Sequence, residues 1–184
     1  STTPSTISSP AGNNIVISTA RVDYASPLLI YFYPGVGHGT LPYVKKVIEG
    51  LNIGPNTIII LGETNRTSFS SMEETAKAAL MGKRPSSIKL GGWSGGAIGL
   101  ASALGSGQPF NTIIYADPSP GALIGKAHRD AKMYYRPSNW VGDLIHLGEK
   151  QKVLAAEMGS NAELVSEDHN QILTKTLKEL IGIG

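Results

Sequence analysis

Between Lys89 and Leu100 the chain reads KLGGWSGGAIGL, and Ser94 carries the only hydroxyl in that stretch. Gly92-Trp93-Ser94-Gly95-Gly96 has the pattern G-x-S-x-G and sits between an apolar run and a helical run of small residues. In that setting a serine is held on a strained strand-to-helix turn, with its side chain clear of the backbone. The spacing predicts that the residues two before and two after Ser94 come close together, which Gly92 and Gly96 permit. The helix that follows would bring its first N–H groups toward negative charge developing near the hydroxyl. The chemistry is nucleophilic attack, and a serine needs a neighbouring base for it. A phosphate cradle fits less well, because no Lys precedes the helix and G-x-x-x-x-G-K-[ST] is absent. The plain alternative is an ordinary strand–helix turn that happens to hold a serine.

Short apolar runs alternating with helical patterns must position this turn. Asn14 to Ser18 reads as an edge strand, and Leu28 to Tyr33 as a strand buried on both faces. A helix follows over Leu41 to Leu51, with Pro42 in its first turn and Leu41, Val44, Val47, Ile48 and Leu51 facing inward. Thr57 to Leu61 is the next strand. Ser71 and Glu74 form a capping box for a helix through Met81. The SIKLGG run beginning at Ser87 is a strand, and Ser94 to Leu104 a helix. Thr112 to Ala116, Ala131 to Tyr135 and Ala162 to Ser166 read as strands, and His146 to Met158 and Gln171 to Ile181 as helices. Continuous apolar strands alternating with helices imply an α/β fold: a three-layer, doubly wound, mostly parallel sheet covered on both faces. Such sheets bind ligands at the carboxyl ends of their strands.

The 184 residues fit one domain with a real core. Residues 1–10 read as a flexible Ser/Thr/Pro-rich arm or linker, since all but Ile7 are Ser, Thr or Pro. Residues 11–184 read as a single domain. The arm leaves open that the domain is carried by a larger protein. Hydrophobic residues make up 41% and charged residues 16%, with a formal net charge of +2. That charge is too small and too scattered to argue for nucleic acid. No run of about 18 apolar residues is present to span a membrane, and no signal peptide is visible. The compartment is left unassigned. The absence of cysteine excludes disulfides, thiol catalysis and cysteine metal sites. No two of His38, His128, His146 and His169 lie four apart, so a zincin-type metal site is not indicated. GVGHGT lacks the spacing of a dinucleotide loop and the later acidic residue. Neither a metal nor a cofactor is called for.

With this turn and this element order, the chain from about Leu28 onward resembles the α/β-hydrolase superfamily, the serine esterases and lipases. The resemblance implies a base and an acid downstream of the nucleophile, in the order Ser, acid, His. His169, in SEDHNQIL just after the last predicted strand, lies where the superfamily's base lies. His128 and His146 are the other candidates. Asp117 ends TIIYA and opens ADPSP, which is similar to the acid loop of pancreatic-type lipases. Many members carry the acid one strand later. Here that loop reads RPSNWVGD, with Asn139 near the usual place and Asp143 beyond it. Asp117 is the first choice for the acid, then Asp143, then Asp168 or Glu167. A turn carboxylate before proline is the plain reading of Asp117.

The superfamily draws one oxyanion N–H from the loop after the first buried strand and one from the residue after the nucleophile. That implies Val36 and Gly95 as donors, with Gly37 in reserve. Gly35, Gly37 and Gly39 would allow close backbone approach. His38, Trp93 and Trp140 are candidate substrate contacts, and Tyr115 and Tyr135 could share an aromatic rim. Arg136 is read as a solvated surface arginine first, with binding of an acidic group near the rim as the alternative. No connection is long enough for a large lid, so an open cleft is expected, closer to cutinase-like esterases than to lidded lipases. The expectation is hydrolysis of a carboxylic ester of a small molecule, lipid or polysaccharide through an acyl-enzyme. Thioesterase, acyltransferase and peptidase chemistry would use the same residues. The alternative is a hydrolase-like module that binds without catalysis. A histidine base must be neutral at rest, so activity should fall as acid protonates it.

Overall fold

Apolar residues alternate along the strands and build two separate cores. The computed structural model describes residues 5–8, 13–20, 26–136 and 147–183. Its strands are β1 (Ser5–Ser8), β2 (Ile15–Ser18), β3 (Leu28–Tyr33), β4 (Thr57–Leu61), β5 (Ser87–Trp93), β6 (Thr112–Ala116), β7 (Ala131–Tyr135) and β8 (Ala162–Leu164). Its helices are α1 (Thr40–Glu49), α2 (Phe69–Leu80), α3 (Ala97–Leu104), α4 (Leu147–Met158) and α5 (His169–Ile181). Leu29, Tyr31 and Tyr33 of β3, with Ile58 and Ile60 of β4, face one core, where Met72 of α2, Leu100 of α3 and Leu154 of α4 meet them. Ile30 and Phe32, with Ile59 and Leu61, face the other, against Val44 of α1 and Leu173 and Leu177 of α5. Successive strand side chains point to opposite faces, so each continuous apolar run fills both layers.

The sheet order is β1-β2-β4-β3-β5-β6-β7-β8. The strands from β4 to β8 along that order are parallel, and β1 and β2 join antiparallel. This is the expected three-layer, mostly parallel arrangement in the minimal form of the α/β-hydrolase fold, and the described residues hold no large lid insertion. The β6–β7 connection holds only a 3-10 turn at Pro120–Ala122.

Beyond shifts at the ends of α1, α3 and β8, four elements differ from the sequence expectation. Ser5–Ser8, inside the segment read as an arm, form an edge strand paired with β2. Main-chain hydrogen bonds make that pairing, so the scarcity of apolar side chains does not forbid it. β2 is consequently interior rather than the edge. α2 begins at Phe69 with Ser68 as its N-cap, not at a Ser71–Glu74 box. Burial of Phe69, whose ring packs edge-on to Tyr31 with centroids 4.9 Å apart, draws the helix start back. α5 begins two residues early, at His169, because Asp168 and Gln171 form a reciprocal capping box.

Register then sets the site. Trp93 of β5 pairs with Ala116 of β6, and Gly92 with Tyr33 of β3. The residues following these strands, Pro34, Ser94 and Asp117, therefore leave the sheet side by side at its carboxyl edge. Arg136 leaves the same edge after β7.

Candidate active site

Ser94 has φ +56°, a left-handed conformation that costs a side-chain-bearing residue strain. From Leu90 to Ala97 it is the one residue that is not buried. A 3-10 turn at Ser94–Gly96 leads into α3. The glycines around it answer steric needs of the neighbouring elements. A methyl on Gly96 would lie 2.7 Å from the carbonyl oxygens of Tyr33 and Pro34, and one on Gly92 would lie 2.7 Å from Leu100 Cγ. Each makes room for a neighbouring element. A methyl on Gly95 would lie 2.2 Å from Val36 Cγ2 and 3.3 Å from the Val36 nitrogen. The two N–H groups singled out in the sequence thus sit beside each other.

Asp117 is 2% exposed and also left-handed, at φ +43°. His169 Nδ1 and Arg136 Nε each lie 2.6 Å from its Oδ2, and Gln151 Nε2 donates to its Oδ1 at 2.8 Å. Burial alone would raise the Asp117 carboxyl. Hydrogen bonds from His169, Gln151 and Arg136 outweigh it, and its pKa lies below the ordinary carboxylate value. Asp117 is thereby kept an acceptor, able to fix the His169 ring and to stabilise its charge. Among the described residues no hydrogen bond joins Ser94 Oγ to His169. Such bonds commonly tighten only when substrate is bound.

The remaining sequence candidates fall as follows. His128 is exposed, and its Nδ1 accepts from the Asp130 N–H. Asp168 is occupied as the N-cap of α5, and Glu167 pairs with Lys175. Val36, Gly37, His38 and Gly39 are exposed, with Val36 at 67%. Trp93 and Tyr115, expected on a substrate rim, are 5% and 0% exposed. Trp93 lies under His169, and Tyr115 is core. Arg136, expected at the surface, is bound to Asp117 with its side chain 15% exposed. Asn139, Trp140, Asp143 and His146 lie outside the described residues.

Three residues here had no sequence signal. Gln151, on α4, is buried and bridges Asp117 to the Pro118 carbonyl. Asn65, in the β4–α2 loop, donates to the Gly95 carbonyl at 3.1 Å. Tyr43, on α1, is 38% exposed with its ring 5.9 Å from Trp93. Each reaches the site across more than twenty residues of sequence, as loop and helix positions with no spacing motif.

No protein-family model and no curated protein sequence matches the chain. Solved structures do. A serine hydrolase without a lid from Xanthomonas campestris is 13% identical, covering 97% of this chain and 89% of that one, with a TM-score of 0.52. The fluorophosphonate-binding serine hydrolase F of Staphylococcus aureus is 11% identical over 97% of both chains, with a TM-score of 0.57. An S-formylglutathione hydrolase from Agrobacterium tumefaciens is 12% identical, covering 97% and 94%, with a TM-score of 0.56. At these identities the likeness is one of fold. No helix among the described residues is long and apolar enough to cross a membrane.

Proposed function

We propose that this chain, which has the α/β-hydrolase fold, is a serine hydrolase that cleaves a carboxylic ester through an acyl-enzyme. One observation carries the reading. At the carboxyl edge of the sheet, a buried Asp117 that follows β6, bonded to a part-buried His169 at the start of α5, stands beside a strained, partly exposed Ser94 that follows β5. Two serine hydrolases and an S-formylglutathione hydrolase of solved structure share the fold, which supports a hydrolase reaction without choosing the ester.

In the proposed cycle His169 Nε2 takes the Ser94 proton as Oγ attacks the carbonyl carbon. Asp117, bonded to Nδ1, orients the ring and offsets the charge it gains. The Val36 and Gly95 N–H groups receive the oxyanion of the tetrahedral intermediate. His169 then gives its proton to the leaving alcohol, and the acyl group remains on Ser94. A water, activated by the same imidazole, releases the acid and restores the serine. Val36 and Tyr43, both exposed beside the site, favour an ester with apolar character next to the carbonyl.

The test is labelling with a fluorophosphonate probe, mapped by mass spectrometry, with a panel of esters of varying chain length. Adduct on Ser94 that is absent in Ser94→Ala and weak in His169→Ala supports the reading. Absence of labelling and turnover from neutral to alkaline pH points instead to a binding module.

A further inference from the structure

Two carbonyls next to the proposed oxyanion donors are held by other parts of the chain. Thr40 Oγ1 donates to the Gly35 carbonyl at 2.6 Å, its nearer acceptor, and lies 3.0 Å from the Gly37 carbonyl. The Ser119 N–H donates to the Ser94 carbonyl at 2.9 Å. Gly35 C=O shares a peptide plane with Val36 N–H, and Ser94 C=O shares one with Gly95 N–H. No described peptide is cis. In a planar trans peptide the C=O and the next N–H point in opposite directions, so fixing the oxygen aims the hydrogen.

We infer that the Thr40 hydroxyl and the Ser119 N–H are positioning groups for catalysis, aiming the Val36 and Gly95 N–H donors at the oxyanion. This rests on the serine-hydrolase reading. An oxyanion hole acts through preorganised dipoles, and a donor free to rotate must be reoriented during the reaction. Here neither donor relies on its own glycine-rich segment for direction. Gly35 to Gly39 includes a left-handed Gly37 at φ +103° and would be loose without Thr40. On the other side, the loop that begins with Asp117 reaches across to the nucleophile turn two residues later. The acid and one oxyanion peptide are therefore set by a single short segment, Asp117-Pro118-Ser119. Asn65 secures the following peptide through the Gly95 carbonyl.

The side chain at Thr40 is separable from its hydroxyl, and the N–H at Ser119 from its side chain. Thr40→Val removes the donor at nearly constant shape, and Thr40→Ser keeps it. Ser119 has φ −68°, which proline adopts, but its N–H is bonded to the Ser94 carbonyl. Ser119→Pro therefore deletes the donor and also sets Cδ against that oxygen, which makes the Thr40 pair the clean comparison. Ser119→Ala keeps the N–H. Ester hydrolysis is measured well below each variant's Tm, together with inhibition by an alkylboronic acid that forms a tetrahedral anion on the serine. Thr40→Val and Ser119→Pro should each lower kcat by about 10-fold or more relative to Thr40→Ser and Ser119→Ala. KM should stay within about threefold, and boronate affinity should weaken in step with kcat/KM. Folded variants with kcat and boronate affinity equal to their conservative partners overturn this assignment. If Ser119→Pro fails to fold, the Thr40 pair decides. A wild-type chain without Ser94-dependent turnover ends the serine-hydrolase reading, and this one with it.

Discussion

Trp93 stacks on His169, with ring centroids 4.7 Å apart and 29° between planes, and donates its indole N–H to the His169 carbonyl at 3.0 Å. Trp93 precedes Ser94 in the chain. The residue beside the proposed nucleophile thus holds both the ring and the backbone of the proposed base, which begins α5 from the far end of the polypeptide.

The first prediction concerns that contact. Trp93→Phe keeps a ring but removes the indole donor from the His169 carbonyl, which as the first of α5 still accepts within the helix, so a cost of about 0.5–1.5 kcal/mol is expected. Trp93→Ala empties a buried aromatic site and should cost about 3–5 kcal/mol. Calorimetry should show the alanine variant melting roughly 6–20 °C lower. For Trp93→Phe, kcat should fall more than KM rises.

The second concerns Asp117. Asp117→Asn should lower kcat on the order of 10⁴-fold, because an amide cannot offset the charge on His169. The same residue sets an acid-dependent part of stability. Its folded pKa is depressed, so its contribution is complete above the unfolded value of about 3.9 and is lost as pH falls through the lower folded value. Urea unfolding between pH 6 and 2 should show that loss in the wild type and a flatter profile in Asp117→Asn. Arg136→Gln removes one of the hydrogen bonds lowering the pKa, so the loss should be smaller and complete at a higher pH than in the wild type. Identical profiles for wild type and Arg136→Gln would contradict this account.

Gln151 supplies a third test. Gln151→Leu leaves Asp117 Oδ1 and the Pro118 carbonyl, both in a buried setting, without a donor. Stability should drop by about 1–3 kcal/mol or more, since one stranded acceptor is charged. Denaturant titration measures it. Turnover should also fall, because the carboxylate loses one of its fixed contacts.

The fourth is steric. A methyl on Gly99 would lie 2.1 Å from Tyr33 Cδ1, and Tyr33 is fully buried. Gly99→Ala should therefore destabilise the fold by about 1–3 kcal/mol, although alanine favours helix. A melting temperature equal to or above wild type would show that α3 can shift away from the sheet at little cost.

By itself the sequence determined what is local or periodic. Apolar runs long enough to fill both faces specified the parallel strands, and the Gly92–Gly96 spacing marked the turn at Ser94. The order Ser, acid, His that the resemblance implies singled out Asp117 and His169, and the structure places His169 Nδ1 2.6 Å from Asp117 Oδ2. Tertiary structure decided what depends on distant partners. Arg136 reads as a surface residue until β7 is laid beside β6, which brings its guanidinium to Asp117. Trp93 reads as a rim residue until α5 folds over it. Gln151, Asn65 and Thr40 carry no motif, because a single hydrogen bond to a carbonyl or carboxylate sets no spacing in the chain. Ser5–Ser8 pair through the main chain, which every sequence shares. Side-chain pattern records which faces are buried, whereas backbone pairing and polar contacts across the fold exist only once those faces have been brought together.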